Sequence, residues 1–356
     1  MNAAVRAIDA DARWIAQLEP EALVRAWLAH PPRDFVAGTV VGVPRFRARF
    51  DVLTTLEPPL LRKLQRWPGF KRWSRWLRWN TEFVGCTSSE YALLPAGVDA
   101  REFADTIVRD ADPDARLLIV KDLARNSPLL SDGENAACDS LIAELEARGF
   151  VLLEGMPLAW VPLDHANEDD YLSRLSSSRR KDIRRKLRSR KDVEIEEIAC
   201  GDPCFADEAT IDAFHQLFAN VHAQSEVHFD ELTRDFLAQL LRQPEGDGVV
   251  FVYRRDDRMI GWNLCYLWHD MLVDKYVGFA YPQARENNLY ALSWMHNLEF
   301  ARLLGLKRYV AGWTDAEAKR QLGARFTMTW HAVRPRGSAL RWLLGRMRRL
   351  FESAPA

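Results

Sequence analysis

Apolar residues recur at helical spacing from Trp14 to Trp27, which predicts a helix over 11–28 ended by the pair Pro31-Pro32. "GTVVGVPRFRARFDVLTT" and "EFVGCTSSEYALL" alternate apolar and polar positions, as half-buried strands do. Between them lies "FKRWSRWLRWN", Phe70 to Asn80, which reads as helix interrupted near Pro68-Gly69. Helix 99–110, strand 116–123, helix 134–149 and strands across 150–163 follow. Beyond a basic segment come the strand "VEIEEI" and helices near 206–223 and 229–242. "GVVFVYRR", "RMIGWNLCYLW" and "DMLVDKYVGFA" are strands whose turns are too short for anything but antiparallel neighbours. Helix 285–305, strand "KRYVAGW", helix "DAEAKRQLG" and strand "RFTMTWHAV" come next, and a basic amphipathic helix over 338–351 follows.

Two parts of this order echo each other. "ELEARGFVLLEGMPLAWVPL" and "RQLGARFTMTWHAV" are both a helix end, a short turn and an alternating strand, each preceded by another strand. The pattern predicts an α+β protein with mixed sheets, built as two tandem lobes joined by a basic helix. The expected divisions are 1–165, a linker helix 166–192, a second lobe 193–335 and a basic amphipathic helix 336–356.

Composition adds bounds. The chain has 356 residues, enough for two cores, and its 48% apolar and 28% charged content suits a globular protein. Its net charge of -1 hides uneven patches. Between Arg174 and Lys191 there are ten basic residues and one acid, Asp182. Ser176 to Ser178 can cap a helix there, and Ile183 with Leu187 forms a thin apolar stripe. Such a run is either a solvated linker or an anion-binding face.

The five cysteines are too scattered for a disulfide framework, and Cys200 with Cys204 lacks a second ligand pair, so no metal is expected. His215, His222 and His228 read as ordinary helix and loop residues. No secretory leader and no apolar run near the roughly 20 residues of a membrane span is seen, so a reduced, cytoplasmic setting is expected. Walker-type loops, G-x-G-x-x-G after a strand, H-E-x-x-H and G-x-S-x-G are absent from the sequence.

The informative region is 249–330. The helix after the antiparallel strands begins with Arg285, Asn287 and Asn288, with Tyr290 on the same turn. Free backbone N–H groups at a helix start suit a phosphate, and Arg285 adds a charge-assisted contact. Trp313 falls beyond the carboxyl end of its strand, where open α/β sheets hold ligands. Asp274 and Tyr276 are two apart on one strand and so are expected on one face.

The order of strands, the helix "ENNLYALSWMHNLEFARLLG" and "GWTDAEAKRQLGARF" resembles the C-terminal half of GNAT-fold acyltransferases. More narrowly it is similar to the Fem-like, double-GNAT branch, and "YLSRLSSSRRKDIRRKLR" resembles that branch's basic helix. The resemblance is strong over 170–335 and weak over 36–165. One departure matters: "QARENNLY" stands where the GNAT pyrophosphate loop Q/R-x-x-G-x-G/A would be, without a glycine. Asparagines tolerate the left-handed turn such a loop needs. The resemblance implies transfer of an acyl or aminoacyl group to an amine by direct attack, with an acyl-CoA, an acyl-carrier protein or an aminoacyl-tRNA as donor. Under it, Lys319 stabilises negative charge on the reacting carbonyl, and Asp274, beside Tyr276, accepts the amine proton. His269 and Glu317 are weaker base candidates. Arg285, Asn287, Asn288 and Tyr290 bind the donor, and Arg179, Arg180, Arg184 and Trp313 contact substrate. Of Trp262 and Asn263, one faces the cleft.

The acceptor is expected to be an amine-bearing small molecule, a peptide or a lipid-linked amine. Trp73, Trp76 and the helix near 338–351 suggest peripheral membrane contact, and a helical reading puts Trp73, Trp76, Leu77 and Asn80 on one side. Core packing with snorkelling arginines and stacking on tRNA are the alternatives for this segment. The competing class for the whole chain is a non-catalytic GNAT-like binding protein at a membrane surface or on RNA.

Overall fold

The computed structural model describes residues 14–55, 58–224 and 230–337. The predicted helix over 338–351 and His228 lie outside the described residues. The strands in chain order are β1 (Trp14–Ile15), β2 (Val36–Val40), β3 (Val43–Asp51), β4 (Arg78–Val84), β5 (Leu94–Pro95), β6 (Leu117–Ala124) and β7 (Val151–Pro162). They continue as β8 (Glu194–Ala199), β9 (Gly248–Arg255), β10 (Arg258–Trp268), β11 (Met271–Phe279), β12 (Arg308–Gly312) and β13 (Arg325–Pro335). Mixed parallel and antiparallel pairing with flanking helices gives an α+β protein.

The chain forms two compact units, neither contiguous in sequence. The N-terminal unit comprises 34–156 with 14–17 and 328–337; the C-terminal unit comprises 18–33 and the described parts of 157–327. The predicted first helix is shorter than expected. It spans Glu21–Ala29, because Pro20 stands at its N-cap, and Trp14–Ile15 instead pairs as a strand with Leu94–Pro95.

In the N-terminal unit the order is β2-β3-β4-β6-β13. β2 and β3 form a tight hairpin whose turn residues, Val41 and Gly42, both take positive φ (49° and 74°). β4 and β6 are parallel, and their connection carries helix Ala100–Arg109, capped by Asp99. Helix Asp132–Ala147 starts with a capping box between Ser131 and Glu134. β13 pairs antiparallel with β6.

The Trp/Arg segment is not one helix. It is helix Pro58–Gln65, a short helix Phe70–Trp73 entered through left-handed Gly69, a 3-10 turn Ser74–Leu77, and then β4. Trp79 therefore lies on a strand opposite Phe50, and the face expected for Trp73, Trp76, Leu77 and Asn80 does not form.

In the C-terminal unit the order is β7-β12-β11-β10-β9-β8. β9, β10 and β11 form an antiparallel meander, as their short turns predict. β11 and β12 are parallel and joined through helix Leu289–Leu303. That helix packs on one face of the sheet, where Leu272, Phe279, Trp294, Met295, Leu298 and Tyr309 are buried together. The opposite face carries helix Glu208–Gln224, to whose Phe214 carbonyl the Trp262 indole donates (3.0 Å). The basic segment becomes helix Ser177–Lys186, capped by Ser176, and a 3-10 turn Leu187–Asp192; its Ile183 is 1% exposed.

Candidate active site

The site is built on a split between parallel strands. β11 and β12 pair only at Met271–Arg308, Leu272–Tyr309 and Val273–Val310, although β11 runs on to Phe279 and β12 to Gly312. Past Val273 and Val310 the strands no longer pair, and Asp274 is the first residue beyond that point on β11.

Asp274 is the centre of a buried polar cluster. Its Oδ1 accepts from Asn263 Nδ2 (2.6 Å), and its Oδ2 accepts from the Tyr309 hydroxyl (2.7 Å) and more weakly from Asn297 Nδ2 (3.3 Å). Asn297 Nδ2 also donates to Asn263 Oδ1 at 2.7 Å. Asn263 and Asn297 are 0% exposed, so each would be costly to leave unpaired. Burial, with the charge of Asp274, pushes the Tyr309 phenol well above its ordinary value, which keeps the proton it donates. At least three of the roughly four lone-pair positions of the carboxylate are taken. Asp274 thus orients two amides and a phenol.

Tyr276 is not beside it. The register shifts between Leu264 and Cys265: Tyr276 lies opposite Leu264, Asp274 lies opposite Cys265, and Lys275 is the extra residue of a β-bulge. The bulge reverses the alternation. Asp274 faces helix Leu289–Leu303 with Asn263. Tyr276 faces the other way, edge-on to Phe218 (6.4 Å) and Phe236 (5.8 Å). The expectation that Asp274 and Tyr276 share a cleft is corrected on this ground. Lys275 forms a buried ion pair with Glu19 at 3.2 Å. The question of Trp262 and Asn263 resolves the same way: both are buried, the indole on the Tyr276 side and the amide in the Asp274 cluster.

Lys319 comes from helix Ala316–Leu322, the element after β12. Gly312 takes φ +76°, Asp315 takes φ +54° before the helix, and the fold-back leaves Lys319 only 5% exposed. Its Nζ lies 3.8 Å from where a Cβ on Gly312 would stand, at the carboxyl end of β12. The helix is held from below by Tyr171, whose hydroxyl donates to the Leu322 carbonyl (2.5 Å), and ends at Gly323 with φ +103°. Trp313, between Gly312 and this helix, is half-buried.

The expected donor-binding residues divide. Asn288 takes the left-handed conformation (φ 52°) at the head of helix Leu289–Leu303, the geometry foreseen where a glycine is missing. Tyr290, on its first turn, holds a buried hydroxyl with no hydrogen-bond partner among the described residues. Burial first, then Asp315 and Asp274, raise its pKa. Such a donor offers a ligand a hydrogen bond. Asn287 is occupied elsewhere. It is 1% exposed, accepts from Arg255 (2.6 Å) and donates to the Gln283 carbonyl (2.9 Å), so it braces the turn. Arg285 is exposed, stacked over Tyr281 at 5.0 Å and bonded to Gln224.

Of the three arginines, only Arg179 reaches the Lys319 helix, through Gln321 (3.2 Å). Arg180 donates to the Ser173 carbonyl (3.4 Å) and Arg184 pairs with Asp169 (2.9 Å). Glu317 is exposed and binds Arg320 and Gln321 on its own helix, and His269 sits in the β10–β11 turn with φ 50°. Sequence reasoning missed Asn297 and Tyr309. The available signal was an asparagine inside the apolar run "SWMHNLEF", which must find a partner when buried.

The N-terminal unit has a matching split. β4 and β6 stop pairing at Val84 and Val120. There the next residue, Lys121, donates to the Cys86 carbonyl (2.8 Å) and pairs with Asp122, bridging the strand ends. Two surface clefts of about 300 and 250 Å³ also belong to this unit, but the arginines of the larger, Arg45 and Arg47, are already paired with Glu82 and Asp112. Among the described residues no group of three or more His, Cys, Asp or Glu is placed to hold a metal.

Residues 177–320 match the family model described as an acetyltransferase (GNAT) domain. That stretch is thus a GNAT acyltransferase domain by its sequence, and the fold of the chain is GNAT-like, similar to that of FemX. Among solved structures it is similar to the C-terminal domain (DUF2156) of a putative lysylphosphatidylglycerol synthetase from Agrobacterium fabrum: 15% identity, 92% of this chain and 90% of that one, TM-score 0.52. L-PGS from Bacillus licheniformis gives 9% identity, 94% and 96% coverage and TM-score 0.55. FemX gives 10% identity, 91% and 98% coverage and TM-score 0.50. No curated protein matches the sequence.

Proposed function

We propose that the C-terminal unit transfers an acyl or aminoacyl group from an activated donor to an amine within the split between β11 and β12. The observation that carries this reading is the buried Lys319 ammonium at the end of β12, beside the point where strand pairing stops. The amine nitrogen attacks the donor's thioester or ester carbonyl, forming a C–N bond. The C–S or C–O bond then breaks. The amine's proton leaves to water, and the departing thiolate or alkoxide takes a proton from solvent. No covalent enzyme intermediate is needed.

Lys319 stabilises the oxyanion from a buried position, where a charge shielded from water acts strongly. Asp274 is a positioning residue that holds Asn263, Asn297 and Tyr309. Tyr290 offers the donor its hydroxyl, which has no hydrogen-bond partner among the described residues. The filled split of the N-terminal unit supports assigning the reaction to one unit. The synthetase named among the similar folds makes an aminoacylated lipid by its name, which keeps aminoacyl donors and lipid-linked acceptors within the proposal.

The test is transfer measured with acyl-CoA thioesters of several chain lengths and with charged tRNA, for the wild type and Lys319→Met. A wild type active with one donor and a variant with kcat reduced about 100-fold at unchanged stability is expected. Full activity in Lys319→Met removes the lysine from the mechanism. Binding of donors without any turnover would favour the non-catalytic reading.

A further inference from the structure

From Pro58 to Thr81 the sequence holds seven basic residues and no acid. Arg62, Lys63, Arg66, Arg72, Arg75 and Arg78 are exposed. Only Arg78 of these six has an ion-pair partner among the described residues, Asp51 at 3.4 Å. Within this field two indoles stand in solvent: Trp67 is 58% and Trp76 80% exposed. Trp73 and Trp79 do not join them. Trp73 packs edge-on to Phe70 (5.0 Å), and Trp79 lies on β4 under the Arg116 guanidinium (5.9 Å).

The segment is therefore ordered so that two of its tryptophans are held out and two are held in. An 80% exposed indole is unfavourable in water. With five cations around it that have no ion-pair partner among the described residues, the surface is complementary to one kind of partner: an apolar layer beneath an anionic skin. Indoles prefer the headgroup boundary, and nearby arginines gain from anionic lipid. A single-stranded nucleic acid would satisfy the charge, but stacking favours successive aromatic platforms along a groove. Here the exposed pair is separated by the Pro68-Gly69 turn and by Phe70–Trp73.

We propose that residues 62–78 form a peripheral docking surface for an anionic lipid bilayer, with Trp67 and Trp76 inserted at the headgroup level and the six basic side chains lying on the phosphates. The proposal is independent of the donor and of Lys319. Among the described residues no helix is long and apolar enough to cross a membrane.

The experiment is co-sedimentation of the full chain with phosphatidylcholine vesicles, with and without phosphatidylglycerol, at low and high salt. Binding that requires phosphatidylglycerol and weakens with salt is expected. Trp67→Ala with Trp76→Ala should reduce the partition coefficient about tenfold or more at unchanged circular dichroism, because both side chains are exposed. Arg66→Gln with Arg72→Gln and Arg75→Gln should abolish the preference for phosphatidylglycerol while both tryptophans remain. Absence of vesicle binding would overturn the proposal, as would undiminished binding by the tryptophan variant. So would a single-stranded RNA that competes with vesicles and loses affinity in the same two variants, which would reassign the surface to nucleic acid.

Discussion

Gly323→Ala should do more harm than its position on the surface of a short helix suggests. Three separate costs apply. The residue takes φ +103°, and a side chain in that region costs about 1–2 kcal/mol. A Cβ there would stand 2.6 Å from the Tyr171 hydroxyl oxygen and 2.8 Å from Leu175 Cδ2, both in the packed interior of the unit. Relieving that overlap costs about 1–3 kcal/mol, and losing the Tyr171–Leu322 hydrogen bond adds about 1 kcal/mol. The expected total is about 3–6 kcal/mol. Gly305→Ala supplies the control: it also takes positive φ (73°), but nothing lies within 4 Å of its Cβ, so only the conformational cost of about 1–2 kcal/mol applies. Tyr171→Phe isolates the hydrogen bond at about 1 kcal/mol. Urea denaturation of the three variants measures these differences. Transfer kinetics then ask whether the Lys319 helix has moved, and a fall in kcat is expected for Gly323→Ala but not for Gly305→Ala. Equal destabilisation by the two glycine variants would refute the argument, because it would mean that the contacts with Tyr171 and Leu175 carry no weight.

Tyr290→Phe removes a buried hydroxyl without a hydrogen-bond partner, so the urea midpoint should hold or rise while transfer falls; unchanged kinetics would dismiss Tyr290 from donor binding. Asp274→Asn should destabilise by about 1–3 kcal/mol, since one amide or phenol of the cluster loses its acceptor. A double-mutant cycle should couple Asp274 to Asn297 and not to Tyr276, and coupling to Tyr276 would contradict the bulge. His296, edge-on to Phe251 at 4.6 Å, has its pKa lowered by burial to about 4. Its neutral form is favoured in the fold, so this contribution is complete above pH 6.5 and is lost as pH falls from 6.5 towards 4. The loss should reach about 1–3 kcal/mol, partly offset by Glu197 at 3.9 Å. Stability of His296→Gln against pH should be flatter over that range, and an unchanged slope would remove His296 as the cause.

The order of strands and helices in the C-terminal unit was legible because alternation and turn lengths act locally, as in "RDDR" between β9 and β10. The pairing of Asp274 with Tyr276 was not. Strict alternation has no sign for an inserted residue, and Lys275 is stabilised in the bulge by Glu19, far away in sequence. The tryptophan segment misled for a related reason: its three-residue spacing reads as a helix, yet Gly69 breaks the first turn and pairing with β3 takes over from Arg78. The place of Lys319 on the helix after β12 was legible from the order of elements. Its burial was not, since that depends on Gly312, Asp315 and Gly323 each taking a left-handed backbone.

The closing strand of the N-terminal unit has a consequence for how the chain folds and for how it can be dissected. Asp122 on β6 donates through its backbone amide to His331 on β13, 209 positions further along the chain. Until β13 is available, β6 keeps an open edge, and an apolar strand in that condition pairs readily with other chains. Closing so long a loop is also slow relative to local pairing. A fragment cut after residue 156 would thus carry most of the unit's residues and still lack its seal. A faithful excision must keep 14–17 and 34–156 and join them to 328–337 through new linkers.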